Sequence, residues 1–268
     1  MRPLDVLVDA ALGTYEEDCR WELIGGILRE CSDDVLELGI VLLQSRLERE
    51  RTLGADILGR LVGVEPLSHG AVLAAMLQAL SAEKASGPLA SMVAAIGHIG
   101  DPGTLGLVFP LAADPSAAVR LAVAFAVATV SPQPLAPEAR AALIRLSRDV
   151  DPEVRDWATF GLGTLSDADG PDVRAALLAR AEDAHHEARA EALFGLAVRH
   201  DPRAVPHLIR ALQSPLVGGL EVDAAAVAAD PRLLPALWAL QQSGTADEVR
   251  LRHAIDRCSG RDRQALLS

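Results

Sequence analysis

The chain is 268 residues long, half of them hydrophobic but only 3% aromatic, with a formal charge of −12. A core so poor in aromatics is built from Ala, Leu and Val, which suits closely approaching helices and argues against a β-sandwich or barrel. The charge disfavours nucleic-acid backbones and anionic membranes as partners and favours a protein with a basic or apolar segment.

The first layer pairs Leu4 to Leu12 with a helix around Asp18 to Cys31, and the second pairs Val35 to Ser45 with Arg51 to Val62. The third pairs His69 to Ser81 with Pro88 to Ile99, joined by a polar loop from Ala82 to Gly87. Residues 1–100 are thus expected as degenerate N-terminal layers, as terminal units of arrays often are. Residues 101–200 read as the regular layers. There, Asp149 to Leu165 returns as Asp183 to Val198 and, earlier, as Asp114 to Val130, with Arg120, Arg155 and Arg189 at steps of 35 and 34. That step is the length of a two-helix unit.

Asp151 and Pro152 write a helix start, because the carboxylate caps an orphan N–H and proline lacks the donor that would go unpaired. Val154, Ala158, Gly161, Leu162 and Leu165 then form one apolar stripe. A single hairpin cannot bury both its faces, so stacking is obligatory. Residues 201–268 are expected as irregular and capping layers. Asp201 and Pro202 start well, Gly218 and Gly219 interrupt the pattern, and Arg232 to Gln242 with Asp247 to Arg257 precede a charged tail, Arg261 to Arg263.

In the three best copies an aspartate precedes the arginine by six: Asp114 and Arg120, Asp149 and Arg155, Asp183 and Arg189. This pattern resembles the HEAT family, specifically its bacterial HEAT-like, bilin-lyase-type branch. The resemblance implies that these six residues make hydrogen-bonded ladders along the stack. Arg174, on an outer helix, is expected to lack such a partner. The fold expected is all-α, a right-handed α-α superhelical solenoid of about eight HEAT-like hairpins in one domain, 1–268.

Candidate chemistry is sparse. His186-Glu187 is similar to the His-Glu dipeptides of deoxyhypusine hydroxylase, a HEAT-type di-iron enzyme, but one pair cannot hold two metals. HEAT-like DNA glycosylases depend on a basic groove, which this charge opposes. No phosphate loop, nucleophile elbow or H-E-x-x-H occurs, so no catalytic residue, metal or other cofactor is expected. Cys19, Cys31 and Cys258 form no C-x-x-C pair, which fits a reducing cytoplasm. Asp5 and Asp9 break any apolar export signal. Lys84 as the only lysine and the lack of asparagine fit a GC-rich bacterial genome.

One signal rises above this background. Phe125, Phe160 and Phe194 recur at the arginine steps, at one position of the second helices, which in solenoids of this type line the concave face. The row is either an exposed anchor strip or inter-layer packing. With Glu153, Asp156, Glu187 and Glu191 beside it, the expected function is a non-enzymatic protein-interaction scaffold. The alternative is an enzyme or subunit of the bilin-lyase type, holding a tetrapyrrole or other small ligand in the groove.

Overall fold

The computed structural model describes residues 3–244 and 246–260, and every regular element among them is a helix. Contacts group the chain into two compact units, Met1–Ser131 and Pro132–Ser268. The first holds α1 (Pro3–Gly13) and α2 (Glu17–Ile27), α3 (Ser32–Leu43) and α4 (Glu48–Val64), α5 (His69–Ala82) and α6 (Ser86–Ile99), then α7 (Leu105–Val108) and α8 (Ala117–Val130). The second holds α9 (Pro137–Leu146) and α10 (Pro152–Gly163), α11 (Pro171–Arg180) and α12 (His186–Val198), α13 (Ala204–Leu212) and α14 (Gly219–Ala228), then α15 (Leu234–Ser243) and α16 (Glu248–Ser259). The architecture is therefore an all-α solenoid of helical hairpins. The tail Arg261 to Arg263 lies outside the described residues.

In each unit the second helices of successive layers pack side by side: α4, α6 and α8 in the first, α10, α12, α14 and α16 in the second. Small residues set how closely they approach. A Cβ on Gly59 of α4 would stand 2.7 Å from the Ala95 Cβ of α6, and one on Gly195 of α12 would stand 2.5 Å from the Gly163 Cα of α10. Either contact is well inside van der Waals distance, so a methyl group there would push neighbouring layers apart.

The start of α10 follows the local chemistry of its sequence. Asp151 Oδ1 accepts from the Glu153 and Val154 N–H groups at 3.0 and 3.2 Å, ahead of Pro152 in the first turn. Val154, Ala158 and Leu162 are sealed from solvent. Leu165, expected in the same stripe, is not: α10 stops at Gly163, and Leu165 lies beyond it, exposed. The layer before it also departs from regularity. Its first helix is only Leu105–Val108, flanked by 3-10 turns at Pro102–Thr104 and Phe109–Ala113. Pro110 has no N–H to continue an α-helix there.

Among the described residues no helix is long and apolar enough to cross a membrane.

Candidate interaction face and the joints that hold it

The joints between layers explain the six-residue spacing. Arg155 Nη1 reaches back to the main-chain oxygens of Asp149 and Val150, at 3.0 and 3.1 Å. Its Nε and Nη2 reach forward to both carboxylate oxygens of Asp183, each at 2.9 Å. The arginine thus bonds the carbonyl of its own turn and the carboxylate of the next. Arg189 and Arg120 repeat the first half, donating to Asp183 O at 2.6 Å and Asp114 O at 2.9 Å. The aspartates also shape their turns: Asp114, Asp149 and Asp183 each accept the N–H two residues on, from Ser116, Asp151 and His185.

Asp183 is buried and receives Arg180 at 2.7 Å as well. Burial alone would raise its carboxyl, but the Arg155 bond, the His185 N–H and the charges of Arg155 and Arg180 outweigh that and hold it at about 2.

Three further joints depart from the aspartate–arginine pairing. Arg51 grips Glu83 through Nε and Nη2, at 2.6 and 3.1 Å, while its Nη1 donates to the carbonyls of Ser45 and Arg46. Glu83 caps Lys84 and Ala85, so a glutamate in the polar loop plays the part aspartate plays elsewhere. Arg199 is buried, and its guanidinium donates to five main-chain oxygens, those of Leu162, Gly163, Ser166, Ala168 and Gly195. It thereby serves the C-terminal ends of both α10 and α12, where carbonyls lack helical partners. Glu221, also buried, accepts the Gly218 N–H at 3.0 Å and lies 2.9 Å from His186 Nε2. A Cβ on Gly218 would come within 3.2 Å of that carboxylate, so the Gly218–Gly219 interruption forms the entrance of α14. Arg174 is not without partners: it pairs with Asp169 through two bonds of 2.7 Å and donates to Arg199 O at 2.8 Å.

The phenylalanines are each half-buried. Phe125, in the first unit, lies over Gly97 of α6, whose missing side chain leaves its room, with the His98 ring at 5.0 Å. In the second unit Phe160 of α10 meets Trp157 edge-on at 5.7 Å, and Phe194 sits on α12.

Around the first turns of α10 and α12 the charge is one-sided. Glu153 and Glu187 are exposed, and the imidazole of His185 lies between them, with Nε2 at 3.4 Å from Glu153 and 3.6 Å from Glu187. Asp156 has one shielded oxygen without a hydrogen-bond partner. Burial raises its carboxyl, His185 works against this, and the charges of Glu153 and Glu187 add to it. Burial also raises Glu191, although Thr164 donates to it. Four carboxylates therefore share one face with a single imidazole. His186, beside Glu187 in sequence, turns instead to Glu221. Among the described residues no group of three or more His, Cys, Asp or Glu could hold a metal ion.

Stacked hairpins joined by arginine ladders define an α-helical repeat protein. Family comparison makes this specific. A model of HEAT repeats matches residues 73–163, and a model of the PBS lyase HEAT-like repeat matches residues 188–214. The chain therefore carries HEAT-type repeats over these two stretches.

Solved structures agree on the fold. The Escherichia coli protein YibA is similar at 24% identity and TM-score 0.76, over 94% of this chain and 91% of that one. A chain from the complex of CpcE and CpcF of phycocyanin lyase from Nostoc sp. PCC7120 is similar at 16% identity and TM-score 0.52, over 83% of this chain and 86% of that one. One from the complex of Kap95p with RanGDP is similar at 15% identity and TM-score 0.57, over 94% of this chain and 37% of that one. No curated protein matches the chain.

Proposed function

We propose that this protein is a non-enzymatic interaction scaffold, and that the face of α10 and α12 receives a basic or apolar segment of a protein partner in the cytoplasm. The observation that carries this reading is the company kept by Phe160 and Phe194. Both rings are half-buried, so each is anchored yet keeps surface to offer. Glu153, Asp156, Glu187 and Glu191 lie on the same two helices, with burial already opposing the charges of Asp156 and Glu191. A lysine or arginine from a partner would relieve that charge, while an apolar neighbour would cover the rings. The fold is shared with chains in two protein complexes, CpcE with CpcF and Kap95p with RanGDP, which supports a protein as the partner. Replacing Glu187 by Arg tests the reading. The substitution is exposed and should leave folding intact while weakening partner binding about tenfold or more. Unchanged binding would argue against this face.

A second reading has its own support in the PBS lyase repeat match at residues 188–214. In it the protein is an enzyme subunit of the bilin-lyase type. A coloured, stoichiometric ligand on the purified protein would favour it.

A further inference from the structure

A cavity of about 490 Å³ opens in the second unit, floored by Phe194, Ala226 and Val227 and edged by His200, His253 and Arg257. Its size is that of a small-molecule site, and it is lined by both apolar and basic groups. We infer that it binds a small organic carboxylate carried on an apolar body.

The charge pattern supports this first. In a chain with 37 acidic residues against 25 basic ones, arginine after arginine is engaged by a carboxylate: Arg20, Arg51, Arg155, Arg174, Arg203 and Arg232, for example. Arg257, like Arg189 and Arg199, bonds a main-chain oxygen rather than a carboxylate among the described residues, and unlike them it lines the cavity. Among the described residues its hydrogen bond is a long one, Nε to Ala226 O at 3.4 Å, with no carboxylate paired to it. Among the described residues its two terminal nitrogens have no hydrogen-bond partner, which leaves them for an anion in a two-point fork. The cavity's own carboxylate, Asp223, is taken by Arg250 from the neighbouring helix. It therefore does not neutralise Arg257, and the site keeps a net attraction for a carboxylate.

The backbone supports it next. His200 follows α12 with φ +49°, a left-handed conformation that favours glycine. The same X-Asp-Pro turn after α6 has Gly100 in this place, at φ +74°. The turn after α14 has Ala229 in this place, also at φ +49°, so the turn accepts a side chain there, and what histidine adds is an imidazole at the rim of the cavity.

The experiment uses the whole chain, with hexanoate and 4-phenylbutyrate as probes and their neutral amides as controls. Binding is read by calorimetry and by the imidazole C–H signals in NMR. At least one acid should bind saturably and shift the His200 and His253 signals, while its amide binds at least tenfold more weakly. Arg257→Gln should lower affinity about tenfold and His200→Gly about threefold. His200→Gly removes strain, so its melting temperature should stay level or rise, which separates loss of the site from loss of the fold. Failure of both acids to bind, equal binding of acid and amide, or affinity untouched by both substitutions would each overturn the inference. Phe194 is shared with the partner face, whose charged end Glu187→Arg tests separately.

Discussion

Arg155 holds Asp183 across the boundary between two layers, 28 residues apart in sequence, with two parallel bonds of 2.9 Å. The pair is largely shielded, with 14% of the arginine side chain exposed and 2% of the aspartate. Arg155→Ala would leave a buried carboxylate with fewer donors and free the turn carbonyls of Asp149 and Val150. Chemical denaturation should show a loss of about 1–3 kcal/mol. The exposed pair Arg252–Glu248 is the control, and Arg252→Ala should change stability by no more than about 0.5 kcal/mol.

The same aspartate sets an acid limit on the second unit. Its folded pKa, about 2, lies below the ordinary unfolded value. The stabilisation is therefore complete above about pH 4 and is lost as pH falls toward about 2, a change of about 2–3 kcal/mol. Unfolding measured across that range should slope for the wild type and flatten for Asp183→Asn. An unchanged slope would assign the acid sensitivity to other carboxylates.

Arg199 should be the most sensitive single position outside the apolar core. Its five acceptors lie at the ends of α10 and α12 and in the connection from α10 to α11. Arg199→Met strands those carbonyls, and Arg199→Lys cannot serve them either, because an ammonium lacks the planar fork. Both should cost about 3–5 kcal/mol in thermal or chemical unfolding. A loss below about 1 kcal/mol would mean that water replaces the guanidinium.

Nothing in the sequence separates Arg199 from a surface arginine, because its partners are main-chain oxygens and no second residue type recurs with it along the repeats. The ladder was legible because aspartate and arginine recur at the repeat step. Even so, spacing suggests Asp149 for Arg155, whereas the structure uses the Asp149 carbonyl and the Asp183 carboxylate. Glu83 hid in a loop because its longer side chain reaches Arg51 from a different register, 32 residues away. The layers themselves were readable from apolar periodicity and Asp-Pro starts, and the broken first helix at Pro110 fell where proline denies the helix a donor. Half-burial of the phenylalanines could not be read, because helical spacing gives a direction on the wheel and not the distance of the next helix.

Asp156 and Glu191 should show the opposite of a structural role. Burial raises both carboxyls, so removing either charge should raise the melting temperature near neutral pH while weakening partner binding. Asp156→Asn and Glu191→Gln are the variants to measure. A drop in stability with binding unchanged would make them structural residues.

Purified protein should carry no stoichiometric iron or zinc by elemental analysis. About one metal or more per chain, lost on replacing His186, would favour an enzyme over a scaffold.

Phe160→Ala, measured for unfolding and for partner capture on the same preparation, tests the interaction face most directly. A half-buried anchor should cost binding about 2 kcal/mol or more, with partners lost from native cell extract that Arg252→Ala still captures, and stability should fall by less. A fall in stability of about 3–5 kcal/mol with capture unchanged would make the ring a core residue and contradict the account.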